Sequence, residues 1–186
     1  AEFVREHEWQ VAQSVMMWCD QGASMRFTSR DSHPIKSVRA RTLALALAIL
    51  LVKGGERVGL TGSGLPPGRG RTQILRLADM LTQDAEAEYQ PPEHSAMIPQ
   101  AQAFFASDFL GDFDEIQHAL FKAADRGVRG VMLQVLDPAE EAFPFSGRTI
   151  FESMGGGMRH ETLKADDLRS RYLDRLAARK AELRTL

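Results

Sequence analysis

An acid followed four residues later by a hydroxyl, directly after a buried apolar run, is the densest piece of chemistry in this chain. The residues are Asp20-Gln21-Gly22-Ala23-Ser24-Met25, and the run before them is Val15-Met16-Met17-Trp18-Cys19. Carboxylate and hydroxyl oxygens at the end of a strand suit a hard divalent cation, which takes oxygen ligands and keeps several waters. Asp108 follows a second apolar run, Ala101 to Ser107, in the same way. A loop rich in Gly and Pro, residues 62–70, follows a third, Arg57-Val58-Gly59-Leu60. The bland alternative for both acids is that they cap loops by accepting backbone N–H groups and hold no ion. The residues alone leave both readings open.

These positions need elements to hold them. The Val15–Cys19 run is continuously apolar, as a central strand is. Glu2 to Asp20 reads as two strands or one long bent one, with Phe3, Val4 and Trp9 on an edge. Residues 36–53 read as a helix closed by Gly54-Gly55, because its length and alanines outweigh the strand-like alternation of Leu43, Leu45 and Leu47. Thr72 opens a second helix with Ile74, Leu75, Ala78 and Leu81 inward. Asp112 caps a third, where Ile116, Ala119, Leu120, Ala123 and Ala124 recur at helical spacing. Residues 130–136 form a further strand, 148–153 and 158–162 a hairpin, and 165–186 a closing helix with Leu168, Tyr172, Leu176 and Leu183 inward. Strands alternating with helices predict an α/β fold with a doubly wound, mostly parallel sheet flanked by helices. Ligands of such sheets bind at the carboxyl ends of the strands. Asp20, the 62–72 loop and Asp108 are all expected on that edge.

The chain has 186 residues, 44% hydrophobic and 26% charged, which suits one globular domain over 1–186. A net charge of −2 argues against a general nucleic-acid binder. The single Cys19 excludes an internal disulfide and fits a reducing, cytoplasmic setting. The longest apolar stretch, Leu43 to Val52, is about half of what a membrane span needs, so no membrane insertion is expected. There is no initiating Met, and the sequence reads as a domain excised from a longer protein, with a membrane anchor outside it left open.

Other candidates carry less. Asp112, Asp114 and Glu115 suit a helix N-terminus. Asp137, Glu140 and Glu141 beside Pro138 read as a solvated turn. The 62–72 loop lacks the Gly-Lys-Ser/Thr ending of a phosphate loop. Gly22 stands where a haloacid-dehalogenase-type phosphatase needs its second acid. Cys19 is expected in the core, facing away from Asp20. Arg169, Arg171, Arg175, Arg179, Lys180 and Arg184 read as a solvated helix face.

Several stretches together resemble the von Willebrand factor A-like domain of the bacterial family called domain of unknown function 58. They include Val4-Arg5-Glu6-His7-Glu8-Trp9, Trp18-Cys19-Asp20, Arg39-Ala40, Gly55-Glu56-Arg57-Val58-Gly59-Leu60 and Ser107-Asp108-Phe109-Leu110. Asp137-Pro138-Ala139-Glu140-Glu141 and Phe143-Pro144-Phe145-Ser146-Gly147-Arg148-Thr149 belong to the same pattern. The resemblance implies a metal-ion-dependent adhesion site, with its D-x-S-x-S signature, a loop threonine and a later aspartate around Mg²⁺ or Mn²⁺. Carried over by position, its residues are Asp20, Ser24, Thr72 and Asp108. Gly22 takes the first serine's place, so the site is degenerate. The resemblance further implies a non-enzymatic protein-interaction module, partnered by a MoxR-type AAA+ ATPase or its client in a chaperone-like or assembly role. The competing expectation is a metal-dependent hydrolase using the same acids.

Overall fold

The computed structural model describes residues 12–186. The edge strand expected around Phe3, Val4 and Trp9 lies outside them. Four strands form one parallel sheet in the order β2-β1-β3-β4: β1 Ser14–Cys19, β2 Arg57–Leu60, β3 Gln102–Ser107 and β4 Arg129–Gln134. Helices α1 Lys36–Lys53 and α2 Gly70–Met80 cover one face; α3 Phe113–Ala124 and the closing α5 Asp166–Leu183 contribute side chains to the other. This is the α/β doubly wound fold expected.

Alternation along the strands sorts the core. Val15, Met17 and Cys19 of β1 pack with Phe104 and Ala106 of β3 beneath α1 and α2. Trp18, Ala103 and Phe105 point the other way, toward Ile116 and Ala123 of α3 and Leu183 of α5. Helix α1 comes close to the sheet because its inward residues are Ala40, Ala44 and Ala48, each no more than 1% exposed. Cys19 is buried as expected, and burial, opposed by Arg41 and assisted by Asp20, pushes its thiol up to about 12. An inert core thiol results.

Two elements depart from the sequence reading. Helix α2 begins at Gly70, and its inward side is Gln73 and Leu77 with Ile74 half-buried, while Leu75 is exposed. The reason lies in the 62–70 loop, which folds back so that Gly68 pairs antiparallel with Val58. Gln73 then donates from Nε2 to the Val58 carbonyl (2.8 Å), which sets the rotation of the helix. Residues 137–142 are not a solvated turn but a short helix, α4 Pro138–Ala142, with buried Asp137 at its N-cap. Asp137 Oδ1 accepts from Ala139 N and Glu140 accepts from Asp137 N, a capping box that the acids and Pro138 jointly specify. The hairpin is present as β5 Thr149–Glu152 and β6 Arg159–Thr162.

Enlarging an α1 alanine tests the close approach. Ala44→Leu is expected to cost about 1–3 kcal/mol of stability, read by urea denaturation.

Candidate functional site

The chain runs from β1 outward to β2 and then returns to β3 on the other side of β1. The carboxyl ends of β1 and β3 therefore flank the topological switch point, where open α/β sheets hold ligands. Asp20 leaves the first strand and Asp108 the second.

Strand alternation, continued past the strand ends, separates the two acids. Asp20 lies with Ser107, whose Oγ donates to Asp20 Oδ2 at 2.7 Å, while Gly22 N donates to Asp20 Oδ1 at 2.7 Å. Asp108 falls on the α1 side. There Lys36 Nζ donates to Asp108 Oδ2 at 2.9 Å and to Glu140 Oε1 at 2.6 Å, and Leu110 N donates to Asp108 Oδ1 at 3.0 Å. Lys36 and Asp108 are almost sealed from water, at 3% and 0% exposure. Burial pushes the Lys36 ammonium down, but the Asp108 and Glu140 charges outweigh it and hold the group above the ordinary lysine range. Burial lifts the Asp20 carboxyl to about 6, against the lowering effect of its hydrogen bonds from Ser107 and Gly22. Such a carboxyl has a proton to exchange near neutrality, but Asp20 does not line the cleft described below.

Gly22 is explained by what lies over it. Residues 85–88 cross the end of β1: Ala85 N donates to Gln21 O, Ala23 N to Ala87 O and Ser24 N to Glu88 O. A Cβ on Gly22 would stand 2.8 Å from Glu88 O and 2.9 Å from Asp20 Oδ1. The crossing segment occupies the room that a serine side chain would need.

Of the four residues implied as metal ligands, the structure gathers three at this edge and leaves one elsewhere. Asp20, Ser24 and Asp108 are buried at the strand ends. Thr72 is exposed in the first turn of α2, one residue from Gln73, which is bonded to Val58. Val58 is level with Val15 in the sheet, five residues before Asp20, or about 16 Å along the strand. The folding back of the 62–70 loop is what carries Thr72 there. These residues do not fit a divalent ion. The threonine is remote, Gly22 can carry no hydroxyl, both Asp20 oxygens are engaged, and an internal ammonium already sits on Asp108. Lys36 is the site residue that sequence reasoning missed, and Glu140 one that it set aside as part of a solvated turn. The available signal was a lysine opening an apolar helix and the Asp-Pro-x-Glu capping pattern after a strand.

Beside this network opens a cleft of about 550 Å³. Phe27, Tyr89, Phe143, Phe145, Phe151 and Tyr172 supply its aromatic wall, with Ser24, Asp108 and Glu140 also lining it. Phe143, in left-handed conformation at φ 45°, stacks on Phe151 at 5.6 Å and leans on Tyr172 at 4.8 Å between ring centroids. Glu88 accepts from Met154 N and Gly155 N, which pins the hairpin over the cleft.

A comparison with known protein families matches residues 1–182 to the family described as "Protein of unknown function DUF58". The chain belongs to this family. No curated protein and no solved structure matches the DUF58 chain. Among its described residues, no helix is long and apolar enough to cross a membrane.

Two outcomes follow for the DUF58 site. Restoring the serine, Gly22→Ser, is expected to lower stability by about 1–3 kcal/mol through overpacking and to bring no Mn²⁺-dependent rise in Tm, read in melts with and without the ion. For Asp20, the folded protein keeps a proton between the ordinary value of 3.8 and about 6 that the unfolded chain has lost. Its contribution to stability therefore falls as pH rises through that window, by on the order of 3 kcal/mol. Asp20→Asn flattens this slope in urea denaturation across the same pH range.

Proposed function

We propose that the domain is a von Willebrand A-like protein-interaction module that works with a MoxR-type AAA+ ATPase, or with its client, in a chaperone-like or assembly role. The partner approaches the carboxyl edge of the sheet, at the cleft between the β1 and β3 ends and the β5–β6 hairpin. One observation carries this reading: the charged groups at the strand ends are engaged with each other, while the aromatic cleft beside them is open. Side chains saturated in this way position a surface. In this reading the cation of the site is the Lys36 ammonium, and no Mg²⁺ or Mn²⁺ takes part.

Apolar clefts with a few convergent polar groups are where proteins take up ligands and partner side chains. The exposed residues of the hairpin, Ile150 and Met154, extend the apolar rim. Affinity capture with the tagged domain, from cells that encode such an ATPase, is expected to enrich the ATPase over a tag-only control. Ile150→Lys is expected to abolish that enrichment without lowering Tm, since the side chain is 45% exposed. Capture without ATPase enrichment would sink the proposal.

A further inference from the structure

The charge of the cleft is one-sided. Among the described residues, four carboxylates line it, Glu88, Asp108, Glu140 and Glu152, and no Lys, Arg or His does. The Lys36 ammonium behind Asp108 and Glu140 offsets one of these charges. Glu152, exposed on β5, has no ion-pair partner among the described residues. The six aromatic rings add faces of negative potential, and a cation within about 6 Å of such a face is attracted to it. The protein already makes this contact internally, since the Lys36 ammonium stands 5.9 Å from the Phe27 ring centroid.

A second observation points to a ligand independently of the acids. Ser24 lines the cleft, is 6% exposed, and its Oγ has no hydrogen-bond partner among the described residues. A buried hydroxyl without a partner is costly and uncommon. It needs a polar group brought from outside, and beside carboxylates an N–H donor is the one that also satisfies the charge.

We propose that the cleft receives an arginine side chain from a partner polypeptide. The aliphatic stem lies along the Phe143, Phe151 and Tyr172 rings. The planar guanidinium stacks on an aromatic face and directs its N–H groups to carboxylate and hydroxyl oxygens. An anionic partner group meets net negative charge here, and a purely apolar one leaves Ser24 without a partner. This deepens the protein-interaction reading and rests on it, because it names the chemistry by which that partner is held.

Short capped peptides, Gly-Gly-Xaa-Gly-Gly, test the inference by heteronuclear NMR titration of the whole chain. Xaa is arginine, lysine, citrulline, leucine or glutamate. Arginine is expected to shift the amides of Ser24, Glu140 and Phe151 with saturation, about tenfold more tightly than citrulline, which keeps the shape and loses the charge. Lysine falls between them. Glu152→Gln, an exposed and near-isosteric change, is expected to weaken arginine several-fold and leave leucine unaffected. Equal binding of citrulline and arginine, preference for leucine or glutamate, or no shifts at the solubility limit would each overturn the proposal. The two readings fail separately. If the domain captures its ATPase and the arginine peptide does not compete, the interaction reading stands and the arginine pocket falls. If the peptide binds saturably and no ATPase is captured, the pocket stands and that partner is wrong.

Discussion

One buried ammonium holds the carboxyl edge together. Lys36 comes from the first residue of α1, Asp108 from the end of β3 and Glu140 from α4. Three segments distant in sequence are thereby fixed at one point. Removing two charges from water is costly, and their mutual attraction offsets that cost only where the geometry is good. Here Asp108 is also bonded by Leu110 N and Glu140 by Asp137 N, so the oxygens not facing the ammonium are satisfied too. Such a pair defines position more than it adds stability. Loss of the ammonium would leave the fully buried Asp108 charge uncompensated, a situation that usually costs about 3–5 kcal/mol.

Around this point, backbone constraints shape the rest. Just after Asp108 the chain takes a left-handed turn at Phe109, φ 52°, and the Phe109 and Gly111 carbonyls accept from Arg179 of α5 at 2.8 Å each. Phe143 adopts the same rare conformation after α4. Non-glycine residues accept this geometry where surrounding contacts over-determine it. Phe109 is held by Trp18 and the α3-side core, Phe143 by Phe145, Phe151 and Tyr172. One strained turn ends the floor of the cleft and the other begins its wall. Arg179 is also a residue that composition would assign to a solvated basic face, and its guanidinium instead closes a loop.

The fold was legible because its signals are local. A continuously apolar run marks β1, helical spacing marks α3, and Asp112 caps α3 by accepting from Asp114 N and Glu115 N. The site was legible only in part. Asp20 and Asp108 are visible because each follows a buried strand, and Ser24 because of its spacing from Asp20. The misplacement of Thr72 has a non-local cause: whether the 62–70 loop rises over the sheet edge or folds back on β2 depends on the pairing of Gly68 with Val58, which no periodicity encodes. Lys36 was hidden for a similar reason. A lysine at a helix start looks solvated until Asp108 and Glu140, 72 and 104 residues later, come to meet it. Gly22 looked like a defect in a metal motif. It is a demand of the segment 85–88, which lies more than sixty residues away in sequence.

Glu88 gives the cleft a mechanical property. Its carbonyl accepts from Ser24 N at the floor, while its carboxylate accepts from Met154 N and Gly155 N at the hairpin turn. Floor and lip are thus two ends of a single residue. A load that lifts the hairpin pulls on the segment that crosses Gly22, and so on the loop that carries Asp20 and Ser24. The cleft cannot gape at its rim without transmitting tension to its base.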